Sequence, residues 1–165
     1  MKRTITLIRH AKSDWGAAGL SDFDRPLNHR GNRDAPLMGS ALKEKNSAID
    51  LILASPAKRA FATVHAICNV IEYNPDTIDF RPDLYLAPAS DMMGMIQSID
   101  DQYQNIAIVS HNPGLTTLAN MLGDRQIDNM PTCSIVILET DISSWQKLKR
   151  ACATTTDFLY PKQIQ

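Results

Sequence analysis

The chain carries almost no net charge: 17 lysines and arginines oppose 18 aspartates and glutamates, for −1 at pH 7 with histidine neutral. That balance supplies no general pull toward nucleic acid or an anionic membrane. Any anion binding must come from a local cluster of arginine and histidine. No apolar stretch is long enough to span a bilayer, and no apolar leader precedes the first strand. The three cysteines, Cys68, Cys133 and Cys152, are odd in number and widely spaced. They match neither a metal spacing nor a disulfide framework. Cys68 lies in an apolar helical run and Cys133 beside a strand, as buried, inert thiols do. Internal repeats, linkers and low-complexity segments are also missing. These exclusions leave a cytoplasmic protein as the expectation. With 165 residues and 44% apolar content, the chain is expected to form a single domain over residues 1–165 with a real core.

What is present is an alternation of strands and helices. Residues 4–9 are β-formers that end abruptly in Arg9-His10 and then turn polar. A loop over residues 12–30 follows, and a long loop directly after a strand end is more often functional than idle. Asn28 or Gly31 opens a helix with Ala35, Met38, Ala41 and Leu42 on one face, and Asn46 ends it. Residues 49–54 form a buried strand stopping at Ser55-Pro56, a cap and first-turn pair for a helix carrying Ala60, Val64, Ile67 and Ile71 and ending near Asn74-Pro75. Residues 77–81 suggest a strand, and 83–87 read either way. Residues 90–101 suggest a helix with Met93, Ile96 and Ile99 inward. Residues 105–111 are the clearest buried strand, after which Asn112-Pro113 caps a helix with Leu115, Leu118, Ala119 and Leu122 toward the core. Residues 134–139 and 154–160 look like late strands. The pattern indicates an α/β sandwich with a largely parallel sheet.

Three strand ends share one chemistry. The first delivers Arg9 and His10. The second ends at Ser55 and places Arg59 in the first turn of the next helix. The third ends at Ser110-His111-Asn112 and also feeds a helix. Parallel strands would put all three at one sheet edge, above two helix N-termini, which is where ligands sit in open α/β sheets. Helix N-termini and arginine forks both suit a small dianion. An imidazole with an ordinary pKa of about 6.5 is largely neutral and nucleophilic at physiological pH. It can attack phosphorus and leave a phosphoimidazole for water to hydrolyse, with Arg9, Arg59 and His111 stabilising the charge. Each residue has a plainer role open to it: a surface ion pair for Arg9 and Arg59, a helix cap for His111, a polar strand end for His10. The joint pattern is what argues for a site.

Three segments, Leu7-Ile8-Arg9-His10-Ala11, Ser55-Pro56-Ala57-Lys58-Arg59-Ala60 and Val109-Ser110-His111-Asn112-Pro113, resemble the motifs of the histidine phosphatase superfamily. The chain length and the loop Ser21-Asp22-Phe23-Asp24-Arg25-Pro26-Leu27-Asn28 look like its small SixA-type phosphohistidine phosphatase branch. The resemblance runs to about residue 140. It implies a three-layer sandwich of the phosphoglycerate mutase-like kind, with a mostly parallel central sheet flanked by helices. It implies His10 as nucleophile, Arg9, Arg59 and His111 as the phosphate pocket, and a reaction needing no metal or other cofactor. Ser13 stands where the mutase-like members also have serine, and it and Asn112 are expected at the substrate. There are departures. Ala11 replaces the usual glycine, a variant seen in this branch, and Gly16 stands where the mutase-like members carry asparagine.

No glutamate motif matches the proton donor of those members. Asp22, Asp24 and Asp83 are candidate acids, though each reads more readily as a solvated-loop or ion-paired carboxylate. An alkoxide leaving group needs a proton in the transition state, whereas a phosphohistidine protonated on its other ring nitrogen leaves as neutral imidazole. The expected substrate is therefore a phosphorylated protein or a small phosphorylated compound, foremost protein phosphohistidine. A small-metabolite phosphatase or mutase, or a non-catalytic module holding a phosphorylated partner, are the competing readings. His29 reads as solvated and His65 as structural. Lys12, Lys58 and Arg25 could rim the pocket, and Trp15 could cover or anchor the loop. No carboxylate or third histidine joins His10 and His111 at a metal-ligand spacing. Oligomeric state is not readable.

Overall fold

A computed structural model describes residues 2–16, 18–45 and 48–164 of the chain. Within them, strands β1 (Lys2–Arg9), β2 (Leu51–Ala54), β3 (Asp79–Phe80), β4 (Asn105–Ser110), β5 (Ile135–Asp141) and β6 (Ala153–Leu159) form one sheet in the order β3-β2-β4-β1-β5-β6. The pairings among β3, β2, β4 and β1 are parallel; β5 is antiparallel to both β1 and β6. Five of the six strands therefore point the same way. The helices are α1 (His29–Glu44), α2 (Lys58–Ile71), α3 (Ala89–Gln97), α4 (Gly114–Leu122) and the short α5 (Pro161–Ile164).

The two-residue side-chain period of a strand sorts the core into two halves. Ile5, Leu7, Ile106, Ile108, Val136 and Leu138 face α3 and α4, together with Trp145. Ile8, Ile52, Ala54, Ala107, Val109, Ile135 and Ile137 face α1 and α2. Central strands covered on both faces favour apolar residues on both, which is why β4 carries the unbroken run Ile106-Ala107-Ile108-Val109 and β1 buries Ile5, Leu7 and Ile8. Register then aligns the strand ends: Arg9 pairs with Ser110, and Ala54 with Val109.

Local signals set most element boundaries, with some shifts. Asn28, not Gly31, caps α1, its side chain accepting from Gly31 N–H at 2.9 Å. The expected stop at Asn46 lies outside the described residues; the helix itself ends at Glu44. Ser55 does not cap α2. That helix starts at Lys58 behind Ala57, and the Ser55 hydroxyl accepts from Ala57 N–H at 3.3 Å. α2 closes at Ile71 because Glu72 turns left-handed, earlier than Asn74-Pro75. In α3 Met92 and Met95 are buried, Met93 packs partly buried against the same core, and the helix stops at Gln97. Pro113 precedes α4, and Asn112 Oδ1 accepts from Thr116 N–H at 3.2 Å. The thiols of Cys68 and Cys133 are buried, pushed up to about 11 and about 12 by loss of water.

Two glycines keep the loops near the strand ends in place. A Cβ on Gly31 would meet the Lys12 carbonyl oxygen at 2.2 Å, and one on Gly114 would meet that of Ala87 at 2.1 Å. The Lys12 carbonyl in turn accepts from Asn28 N–H at 3.0 Å, and Asp14 N–H donates to Pro26 O at 2.8 Å. The polar loop is thereby folded back over the end of β1.

Candidate active site

His10 leaves the end of β1 as a buried side chain. Its Nδ1 lies 2.8 Å from the Ala11 carbonyl oxygen. A carbonyl can only accept, so Nδ1 carries the proton and Nε2 keeps its lone pair. The Ala11 peptide is itself pinned, because its N–H donates to Thr63 Oγ1 at 2.9 Å while that hydroxyl donates to Arg59 O at 2.7 Å.

Arg59, in the first turn of α2, joins the three strand ends. Its Nε lies 3.4 Å from His10 Nε2, and its Nη2 lies 3.4 Å from His111 Nδ1. Since a guanidinium only donates, His111 accepts at Nδ1 and therefore donates from Nε2 to Ser55 Oγ, 2.8 Å away. The two imidazole centroids stand 5.0 Å apart. Arg9 donates from Nη1 to Met130 O at 2.8 Å, while its buried Nε has no partner among the described residues. Burial, reinforced by neighbouring cations, drives both histidines toward the neutral form: His10 down to about 4 and His111 down to about 3.

Asp22 also reaches this cluster. Its Oδ1 accepts from Arg25 Nη2 at 2.9 Å, and its Oδ2 accepts from Arg59 Nη2 at 3.0 Å and from the Tyr85 hydroxyl. The Tyr85 bond first, then Arg25 and Arg59, hold this carboxyl well below the usual carboxylate range. Arg25 further donates to Ser13 Oγ. The Tyr85 ring meets His111 edge-on, with centroids 5.4 Å apart.

These groups surround a cavity of about 280 Å³ lined by Arg9, His10, Lys12, Ser13, Asp22, Arg25, Arg59, His111 and Asn112, with Trp15, Leu86 and Thr132. Four cations face one carboxylate there. Four of the residues expected from the three motifs, Arg9, His10, Arg59 and His111, meet in it. Ser13 and Asn112 line it too. The carboxamide of Asn112 is taken up by Met130 O, Asn129 and Thr116, and the Ser13 hydroxyl by Arg25. Asp24 bonds Ser21, and Asp83 lies 3.5 Å from Arg81; neither lines the cavity. Lys58 is exposed and not part of the lining. His65 packs against Phe61, with ring centroids 4.2 Å apart, and lies near Phe80 instead of joining the site. Among the described residues no group of three or more His, Cys, Asp and Glu side chains is arranged for a metal ion.

Ser55, Thr63 and Tyr85 were not foreseen in these positions. Thr63 left a faint trace, as a β-branched hydroxyl one turn after Arg59 on the same helix face. Tyr85 left none, since it sits in a stretch with no clear periodicity.

Such a cluster can accept a tetrahedral oxyanion on the arginines while an imidazole lone pair faces its central atom. A family model for the histidine phosphatase superfamily, branch 1, matches residues 5–84. An uncharacterized chloroplastic protein of Arabidopsis thaliana is 30% identical over 155 residues, covering 89% of this chain and 71% of that protein. An uncharacterized protein of Mycobacterium tuberculosis is 29% identical over 166 residues, covering 94% of this chain and all of that one. Among solved structures, a protein assigned as the phosphohistidine phosphatase SixA of Agrobacterium tumefaciens superposes with a TM-score of 0.80 at 28% identity, covering 96% of this chain and 98% of that one. The protein histidine phosphatase SixA complexed with tungstate shares the fold, with a TM-score of 0.83 at 22% identity over 98% of this chain and 99% of that one.

Proposed function

Because the chain belongs to the histidine phosphatase superfamily, in its SixA-type branch, and is a histidine-type phosphatase, we propose that His10 is its nucleophile and that its substrate carries phosphorus on nitrogen, foremost a protein phosphohistidine. The observation that carries the first half is the Arg59 bridge: one guanidinium within 3.4 Å of both His10 Nε2 and His111 Nδ1. In this reading the His10 Nε2 lone pair forms a bond to phosphorus. The bond from phosphorus to the leaving nitrogen breaks, with its electron pair going to that nitrogen. Arg9 and Arg59 hold the equatorial oxygens, and His111, accepting from Arg59 Nη2 at Nδ1, helps to orient that guanidinium. The Nε of Arg9, buried and unpaired among the described residues, gains an acceptor at that moment.

The second step follows from the same tautomer. Nδ1 of His10 stays protonated against the Ala11 carbonyl. Phosphorylated His10 is therefore released by water as a neutral imidazole and needs no acid, the water's proton passing to solvent. The substrate half of the proposal rests on Asp22. It is the carboxylate that lines the cavity, and Tyr85, Arg25 and Arg59 keep it ionised. An ionised carboxylate cannot protonate an alkoxide. A leaving imidazole protonated on its other nitrogen asks for no proton.

Incubation with phosphorus-labelled phosphohistidine and rapid acid-free quenching should trap label on His10. His10→Ala should lose turnover while keeping its fold by circular dichroism. Substantial activity in that variant, or hydrolysis of alkyl phosphates as fast as phosphohistidine, would overturn the respective half of the proposal.

A further inference from the structure

Two exposed apolar side chains line the cavity beside its polar groups, and the chemistry proposed for the floor does not use them. Trp15, from the loop after β1, and Leu86, from the turn before α3, line the same cavity as His10. Trp15 is 73% exposed and Leu86 54%. Neither therefore serves the core. Trp15 is fixed without being buried: the Arg25 guanidinium carbon lies 3.5 Å from its ring centroid. Arg25 in turn is anchored by Asp22 and Ser13. Leu86 has a φ of 53°, where a side chain is strained and glycine is not. Glycine would make this turn more easily, yet the chain keeps a large side chain there and points it into water at a cavity wall. Strain kept at such a place is a sign of use.

The direction of the reaction says what the use is. In-line displacement puts the leaving atom on the side of phosphorus opposite the attacking Nε2. His10 belongs to the buried floor, so the leaving group lies toward the mouth, beside Trp15 and Leu86. These two offer a flat aromatic surface and an aliphatic edge, with the Trp15 indole N–H as their one side-chain hydrogen-bonding group. Resting on the reading of the floor as a phosphoryl site, we propose that Trp15 and Leu86 form a leaving-group subsite for the flat ring that bears the phosphoryl group. The enzyme then prefers phosphoryl groups on an imidazole or phenol ring over those on ring-free carriers.

The test compares kcat/KM of the wild type, Trp15→Ala, Trp15→Phe and Leu86→Gly on N-phosphohistidine, para-nitrophenyl phosphate and acetyl phosphate, whose leaving group has no ring and needs no acid. Trp15→Ala and Leu86→Gly should each cost the ring substrates about fivefold to tenfold more than acetyl phosphate, the range set by aromatic contact energies. Trp15→Phe should recover most of that difference. The ring substrate with the larger dependence on Trp15 identifies which ring the subsite takes. Equal losses on all three substrates overturn the subsite while leaving the phosphatase reading intact. Leu86→Gly relieves left-handed strain, so its melting temperature should not fall; a fall without any change in substrate preference assigns Leu86 to folding and removes it from the subsite. Failure of the floor reading looks different: a wild type that turns over none of the three and binds no vanadate by calorimetry.

Discussion

Acidifying the protein from pH 7.5 to pH 5 should destabilise it through two buried imidazoles. His10 and His111 are held neutral, down to about 4 and about 3, chiefly by burial and then by the cations around them. In the unfolded chain each takes up a proton near its ordinary pKa of about 6.5. Below that point the unfolded state binds protons that the native state refuses, so stability falls as pH falls through the window between 6.5 and the native values. Both native values lie below 5, so at pH 5 the loss depends almost wholly on the unfolded pKa. It comes to about 2 kcal/mol for each ring and about 4 kcal/mol for the pair, or roughly a thousandfold in the folding constant. The depressed carboxyl of Asp22 has the opposite reference, with an ordinary pKa of 3.8. Its contribution is present above that value and is lost only as pH falls through and below it, outside this window. Urea unfolding at the two pH values measures the difference directly. His10→Gln should lose about half as much stability as the wild type on acidification, since one proton-refusing site is gone. A wild-type unfolding free energy equal at both pH values, within about 0.5 kcal/mol, refutes the reasoning.

Four further outcomes follow from particular positions. Asp22→Asn keeps the size of the side chain but removes its charge; phosphohistidine turnover should fall by less than about tenfold, whereas a general acid would cost on the order of a hundredfold or more in kcat. Thr63→Val leaves the Ala11 N–H without its acceptor and should destabilise by about 1–3 kcal/mol in urea; it should also lower kcat more than it raises KM, because the carbonyl that sets the His10 tautomer belongs to the residue it frees. Gly31→Ala drives a methyl into the Lys12 carbonyl oxygen and should cost about 1–3 kcal/mol, read from the thermal midpoint. Ile108→Ala, in a β4 position with no solvent exposure, should cost about 2–5 kcal/mol while kcat per folded molecule holds.

The sequence by itself determined the alternation of strands and helices, the aliphatic centre of the sheet and the four residues at its edge. These are local signals. A strand buried on both faces must be apolar along its length, and a polar pair such as Arg9-His10 at its end has nowhere to go but out of the sheet edge. Parallel direction then brings such ends together without knowledge of the strand order. The Arg59 side chain could be placed for the same reason, one turn into a helix whose start was only two residues from the expected one.

Only the tertiary structure decided the rest. That β1 sits between β4 and β5, with the last strands running antiparallel, depends on pairings across a hundred residues and leaves no local trace. Asp22 read more readily as a solvated or ion-paired carboxylate than as an acid; only the fold brings Arg59 and Tyr85 to it beside its neighbour Arg25. Ser55 looked like a helix cap because serine before proline usually is one; the helix starts at Lys58 instead, and the hydroxyl accepts from Ala57 N–H and from His111 Nε2. The tautomer of His10 hangs on a single carbonyl oxygen, and the charge state of both imidazoles on how completely water is removed. Periodicity reports which side of an element is buried. It does not report which groups from elsewhere in the chain arrive there, and it is those arrivals that set protonation and chemistry.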